Sequence, residues 1–263
     1  MKFCVQWMIG FSCFLLFCVQ GFSIESEANQ EKLSIETFEA VAYSTEDKIL
    51  YRELHRIQRK NQRIIYSETR YLNPEGEKIA EMISDYSNNI HVPNYRFSDE
   101  LQDYEDGVEC RHKKCVMYRI ESGSKKEIQE FSIADRFFAG QGWHHYIREN
   151  LELLKDQEAI MNLILPGRLN DFRLQLETEG VSEKEIRFKL EFEHWLLKLF
   201  TPVLYLPYDP KKRRLMEYRG PSNINTEDNE FKEVRIIYQY PDCLLYTSDA
   251  ADEGLGVDLG GRR

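Results

Sequence analysis

Between residues 36 and 240 the chain is built from short runs that alternate apolar and polar side chains, and this period of two limits the fold more than any other feature. Residues 36–43 (ETFEAVAY), 49–57 (ILYRELHRI) and 63–72 (RIIYSETRYL) are rich in β-branched and aromatic residues and are bounded by polar turn material. In the second run Leu50, Arg52, Leu54 and Arg56 share one face, and Tyr51, Glu53 and His55 share the other. Asn73-Pro74-Glu75-Gly76 reads as a tight turn, with Pro setting φ and Gly accepting φ > 0. Residues 78–86 are ambiguous between strand and helix, and their place between this turn and Pro93 favours a strand, with Ile79, Glu81 and Ile83 alternating against Ala80, Met82 and Ser84. Residues 159–165 (AIMNLIL) are almost continuously apolar, while 172–178, 186–192 and 233–240 alternate again. Asp209-Pro210-Lys211-Lys212 joins two further strands as a hairpin. About ten strands joined by short turns imply a mainly antiparallel sheet.

One stretch breaks the pattern. In residues 142–154 (GWHHYIRENLELL) the apolar Trp143, Tyr146, Ile147, Leu151 and Leu154 fall on a single helical stripe, with His144, His145, Arg148, Glu149 and Glu152 on the other side. A lone helix of about three turns does not hold itself together in water and needs a sheet to receive its stripe. The expected fold is therefore mainly β (α+β), a curved antiparallel sheet or half-barrel packed around one amphipathic helix. The apolar run at Trp195-Leu196-Leu197 fits a short buried helix or a strand covered on both faces.

Both ends are set apart from this domain. Lys2 and the mostly apolar residues 3–19, followed by Gly21-Phe22-Ser23, predict a signal peptide at 1–23, cleaved near Ser23, and a periplasmic, exported protein. The alternative is membrane anchoring by an uncleaved signal. Residues 24–35 read as a polar linker and 36–242 as a single β-rich domain. Residues 243–263 open with Cys243-Leu244-Leu245-Tyr246-Thr247-Ser248, which resembles the translation of a sequencing-library adapter, so this segment is expected to be an adapter-derived, disordered artefact.

The formal charge of −10 argues against nucleic acid as a partner, because contacts to phosphate supply most of that affinity. Between residues 24 and 242 only Cys110 and Cys115 remain, and an even pair in an exported chain predicts a disulfide across a hairpin base. The rival is a metal site of Cys110, His112 and Cys115, which lacks the four ligands and tight spacing usual for zinc. Adjacent histidines do not form the i, i+4 pair that binds zinc on a helix, so His144 and His145 are read as exposed. There is no nucleophile elbow, zincin motif or phosphate loop, and no cofactor, metal or enzymatic activity is expected. Asp135, Asp209 and Glu217 read as solvated acids. In the 218–223 stretch Gly220 and Asn223 are candidates for φ > 0 and Ser222 for a bond to the backbone. Two hairpin tips are basic, and Lys113, Lys114, Arg213 and Arg214 are candidate contacts to anionic lipid, a membrane surface or an envelope partner.

The stretches YLNPEGEKIAEMISDYSNNIHVPNYRFSDE, GWHHYIRENLELLKDQEAIMNLILPGRL, LYLPYDPKKRRLMEYRGPSNI and VRIIYQYP, in that order, resemble a family of uncharacterised exported proteins found mainly in Gram-negative bacteria. More distantly, the layout is similar to the half-barrel of periplasmic lipoprotein carriers, which implies a hollow that takes acyl chains. The leading expectation is a non-enzymatic protein that holds or passes lipid or another apolar ligand, or docks an apolar partner, in a hollow lined by Trp143, Tyr146, Ile147, Leu151 and Leu154. An envelope scaffold or assembly protein without a ligand is the second expectation, and an enzyme lacking recognisable motifs the third. An apolar cavity of several hundred Å³, a filled core, or buried acids converging with His in a cleft would favour these three in turn. Nothing in the sequence bears on oligomeric state.

Overall fold

The computed structural model describes residues 32–112, 114–198, 201–224, 233–241 and 246–247. Seventeen strands join in one sheet. The first arm is an antiparallel meander in which each strand pairs with the next: β1 (Leu33–Tyr43), β2 (Ile49–Lys60), β3 (Arg63–Leu72), β4 (Lys78–Asp85), β5 (Asn94–Asp99), β6 (Tyr104–Arg111), β7 (Lys114–Ile120) and β8 (Glu127–Ser132). The second arm starts with β9 (Phe137–Ala139), helices α1 (Gly142–Glu149) and α2 (Leu151–Leu154), β10 (Ala159–Leu165), β11 (Asn170–Val181) and β12 (Ile186–Phe192). After the short helix α3 (Trp195–Lys198) come β13 (Leu204–Asp209), β14 (Arg214–Leu215), β15 (Glu217–Pro221) and β16 (Glu233–Gln239). β9 lies parallel to β10, and β10 to β13, β15 and β16 continue antiparallel. β16 then pairs with β1 and joins the two arms. β17 (Tyr246–Thr247) pairs with Ser34 and Ile35, so two residues of the segment read as adapter-derived add to this edge of β1.

The sheet curls. A 3-10 turn at Pro166–Arg168, just after β10, touches β6 and β7, although many strands separate them in the sheet. At about 4.8 Å per strand step a flat sheet would hold them on the order of 50 Å apart. The contact is a latch: Tyr104 donates to Asp106 at 2.8 Å, the Gly167 amide donates to the same carboxylate, and Arg119 Nη1 donates to the Gly167 carbonyl at 3.0 Å.

Curling gives two interior clusters. The first gathers Tyr51, Tyr71, Met82, Tyr95, Phe97 and Val108 with Ala139 and Ile164 from the second arm. The second gathers Ile147, Leu151 and Leu154 of the helices with Phe138, Met161, Leu176, Phe188 and Tyr208. β10 therefore contributes Ile164 to one cluster and Met161 to the other, which explains why its sequence is apolar without alternation.

Several expectations need correction. β1 begins at Leu33, three residues inside the expected linker, because Leu33 to Ile35 already pair with β2. The 142–154 helix is broken at Asn150, whose side-chain amide donates to the Tyr146 carbonyl at 2.9 Å and competes with the helix ladder. The run at Trp195 is a short helix, but Trp195 is 65% exposed, so it is not buried. Neither Gly220 nor Asn223 has positive φ, whereas Gly76 does, as the turn requires. Ser222 Oγ does take the Ile224 amide at 3.0 Å. Residues 78–85 form β4 as read, with Ala80, Met82 and Ser84 buried on its inner face.

Candidate functional site

The helix lies between the two arms and is engaged on both sides. Its apolar stripe closes against the second arm, where Ile147 and Leu151 are 0% and Leu154 is 2% exposed. Trp143 and Tyr146 are half-buried beside that cluster, and Tyr146 meets the rings of Phe138 and His91 edge-on or tilted at 5.0 and 5.8 Å. The expectation of a hollow lined by all five is corrected: three are sealed, since the strands β9 to β13 pack directly onto them.

Part of the polar side of the helix is also covered, against expectation, although Glu149 and Glu152 stay exposed. His145 is 5% exposed, and its ring meets Tyr86 of the first arm edge-on at 5.0 Å. Burial, and then the Arg148 charge, pushes its pKa down to about 3. His144 stacks on Tyr208 of β13 and shares a 2.7 Å hydrogen bond with its hydroxyl, and burial likewise holds it well below the usual histidine range. Both imidazoles are therefore neutral at physiological pH. The helix start is pressed onto the first arm as well: a Cβ on Gly142 would stand 1.9 Å from the His91 carbonyl oxygen, so only glycine fits there.

The inner face of the first arm carries a polar row that the cross-strand register dictates. Phe38, His55 and Thr69 are direct partners across β1, β2 and β3. His55 Nε2 meets Glu53 Oε2 at 2.8 Å, His55 Nδ1 meets Thr69 Oγ1 at 3.0 Å, and Phe38 stacks on the imidazole at 4.4 Å. An acid, a histidine and a hydroxyl thus converge, yet both ring nitrogens are engaged and Thr69 is 1% exposed. The row satisfies its own buried polar groups and offers no open nitrogen to a substrate. Tyr51 and Ser222 add another buried bond at 3.0 Å.

Next to this row, where β1, β2, β14 and the helix meet, three arginines gather around one carboxylate. Arg59 Nη2 donates to Glu36 Oε2 and Arg214 Nη2 to Glu36 Oε1, each at 3.1 Å. Arg148 Nε donates to the Arg213 carbonyl at 2.9 Å, which brings the helix arginine to the same corner. Arg214 also lies over the Tyr240 ring at 4.7 Å. A recess of about 630 Å³ opens at β1, β2, β3 and the end of β16, with Glu39, Arg56 and Arg70 as well as Phe38, His55 and Tyr240 among its walls. No residue of the 142–154 helix is among its walls, so this recess is not the hollow expected beside the helix.

The remaining sequence-predicted residues are dispersed. Cys110 and Cys115 form the predicted disulfide, opposite each other on β6 and β7 with Cα atoms 4.1 Å apart, which removes the metal reading for them. Lys113 lies outside the described residues. Lys114 is exposed on β7, and Arg213 is exposed in a turn with positive φ. Arg214 is corrected from a solvated tip to a half-buried partner of Glu36, because β14 turns it toward β1. Asp209 caps the amides of Lys211 and Lys212 at 2.8 and 2.9 Å, and Glu217 pairs with Arg219, so these acids do not converge. Sequence reading missed Glu36, Arg59 and the interior role of Arg148. The one available signal was the shared face of Tyr51, Glu53 and His55, which is the inward face.

No protein-family model matches the chain, and no curated protein sequence does. Among solved structures, the crystal structure of a β-barrel-like protein of a domain of unknown function, DUF1849, from Brucella abortus is similar over 80% of this chain and 97% of that one, at 7% identity and a TM-score of 0.40. That degree of likeness carries no argument about fold or activity. The mainly β, curled sheet described above rests on its own register and contacts. Among the described residues no helix is long and apolar enough to cross a membrane, which says nothing about strands.

Proposed function

We propose that this chain is an exported, non-catalytic scaffold or assembly component of the bacterial envelope, acting through its surface and not through an internal ligand. The observation that carries this reading is the closure of Ile147, Leu151 and Leu154 into the second core, where a carrier would keep its hollow. The Cys110–Cys115 bridge supports an oxidising compartment, and the signal-like N-terminal sequence supports export. The engaged nitrogens of His55 speak against hydrolytic chemistry where acid, imidazole and hydroxyl meet among the described residues. Native mass spectrometry of the protein purified from its own envelope tests the reading. The expected spectrum shows the polypeptide mass alone. A stoichiometric lipid adduct that survives gentle activation would return the carrier reading to first place.

A further inference from the structure

The corner where Glu36, Arg59, Arg148 and Arg214 meet is electrically unbalanced. Two guanidinium groups hold one carboxylate and a third, on Arg148, interacts with it electrostatically, on a chain with a formal charge of −10. Among the described residues Glu36 is the one acid hydrogen-bonded to any of the three: Arg59 reaches it through Nη2 at 3.1 Å and Nε at 3.4 Å, and Arg214 through Nη2 at 3.1 Å. Arg148 spends only its Nε, on the Arg213 carbonyl, and its two terminal nitrogens have no hydrogen-bond partner among the described residues. The corner is partly withdrawn from water, since the side chains of Arg59, Glu36 and Arg214 keep 18%, 23% and 30% of their exposure. Like charges repel more strongly in such a setting than in bulk solvent. Burial, with Arg59 as the next cause, lowers the pKa of the Arg148 guanidinium.

Tyr240 lies under Arg214, is held by a 2.9 Å bond from its hydroxyl to the Leu215 carbonyl, and stands 4.7 Å from the Phe38 ring. The nearest imidazole on the helix, His144, is neutral and tied to Tyr208, so it adds neither charge nor repulsion. What is left over is a planar fork of donors on Arg148, near enough to Arg59 and Glu36 for their charges to act on it, at a corner short of negative charge. Such forks match the oxygens of phosphate and carboxylate groups, and the excess of three cations over one anion suits a dianion.

We infer that the Arg59–Arg148–Arg214 corner is an anion site that binds a phosphate group, carried either by a soluble phosphate compound or by an anionic lipid headgroup. It goes beyond the scaffold reading and does not depend on it, because a headgroup held at this corner leaves the sealed core untouched.

The test uses the full chain at low ionic strength, with inorganic phosphate followed by isothermal titration calorimetry. Binding should weaken about tenfold in Arg148→Gln, the loss expected for a charge-assisted contact. It should tighten several-fold in Glu36→Gln, which releases Arg59 and Arg214 from their internal acceptor. That gain keeps the test decisive even if Arg148→Gln folds poorly, since damage to the fold does not raise affinity. A parallel arm measures sedimentation with vesicles of phosphatidylcholine containing phosphatidic acid, against phosphatidylcholine alone. Free phosphate binding with the stated variant pattern assigns a soluble ligand. Binding only to phosphatidic acid vesicles, lost in Arg148→Gln, assigns a headgroup. Absence of binding in both arms, or binding unchanged by both substitutions, overturns the inference.

Discussion

Besides the pairing of β16 with β1, the second arm meets the first at the latch and at the helix, and these two contacts respond to protons in opposite directions. At the latch, burial of Asp106 raises its pKa to about 6, above the 3.8 of an exposed carboxyl. The folded latch therefore holds a proton more readily than the unfolded chain, and its contribution is full below pH 3.8 and lost as pH rises through 6. At the helix, His145 titrates near 3 when folded against 6.5 when unfolded. The folded helix site binds fewer protons, so its contribution is full above pH 6.5 and is lost as pH falls toward 3. A carboxyl and an imidazole have both been buried with incomplete compensation, and the sign of each penalty follows from which of its forms is charged.

The comparison breaks most visibly if the helix is loosened. Leu151→Ala removes a fully buried side chain from the second cluster and should cost about 3–4 kcal/mol in chemical denaturation at pH 7.5, in the upper part of the usual range for such cavities. A cost below 1 kcal/mol would mean that the stripe is not packed. The pH response comes next. Lowering pH from 6.5 to 4 should remove roughly 3 kcal/mol of stability through His145, with a further loss from His144. In His145→Phe most of that slope should vanish, and an unchanged slope would place the acid sensitivity elsewhere.

The latch should behave as the mirror image. Asp106→Asn keeps an acceptor for Tyr104 and the Gly167 amide while removing the charge, so above pH 6.5 the variant should be more stable than the parent by about 2 kcal/mol. The gain should disappear below pH 4, and a variant destabilised at every pH would refute the desolvation account. The smallest effect is expected at the disulfide. It closes a hairpin loop of six residues, and replacing both cysteines by serine should cost roughly 2 kcal/mol by loop entropy, with similar pH slopes at both fastenings.

How much of this was legible in the sequence depends on whether the cause is local. The alternation in β2 and β4, the turn at Gly76 and the hairpin pair Cys110–Cys115 are set by neighbours in the chain and were readable. The apolar stripe of the helix was readable for the same reason. Its polar side was not, because what covers His145 is Tyr86, brought there by the curl of the sheet and not by nearby sequence. The cluster on Glu36 was hidden in the same way: Arg214 reaches it from the far end of the domain, and only the pairing of β16 with β1 brings them together. β5, β8 and β9 also escaped notice. β9 is only three residues long, and β8 is exposed along almost all of its length and so has no apolar face to alternate.

The central claim is that the helix is covered over both its apolar stripe and its two histidines, and the ionisation of those histidines reports on this directly. A pH titration of the imidazole nitrogens by NMR, with His144→Gln and His145→Gln used for assignment, should show both rings titrating below the usual histidine range, with His145 centred near pH 3. Two ordinary titrations centred near pH 6.5 would show that the polar side of the helix faces water, and would contradict the account.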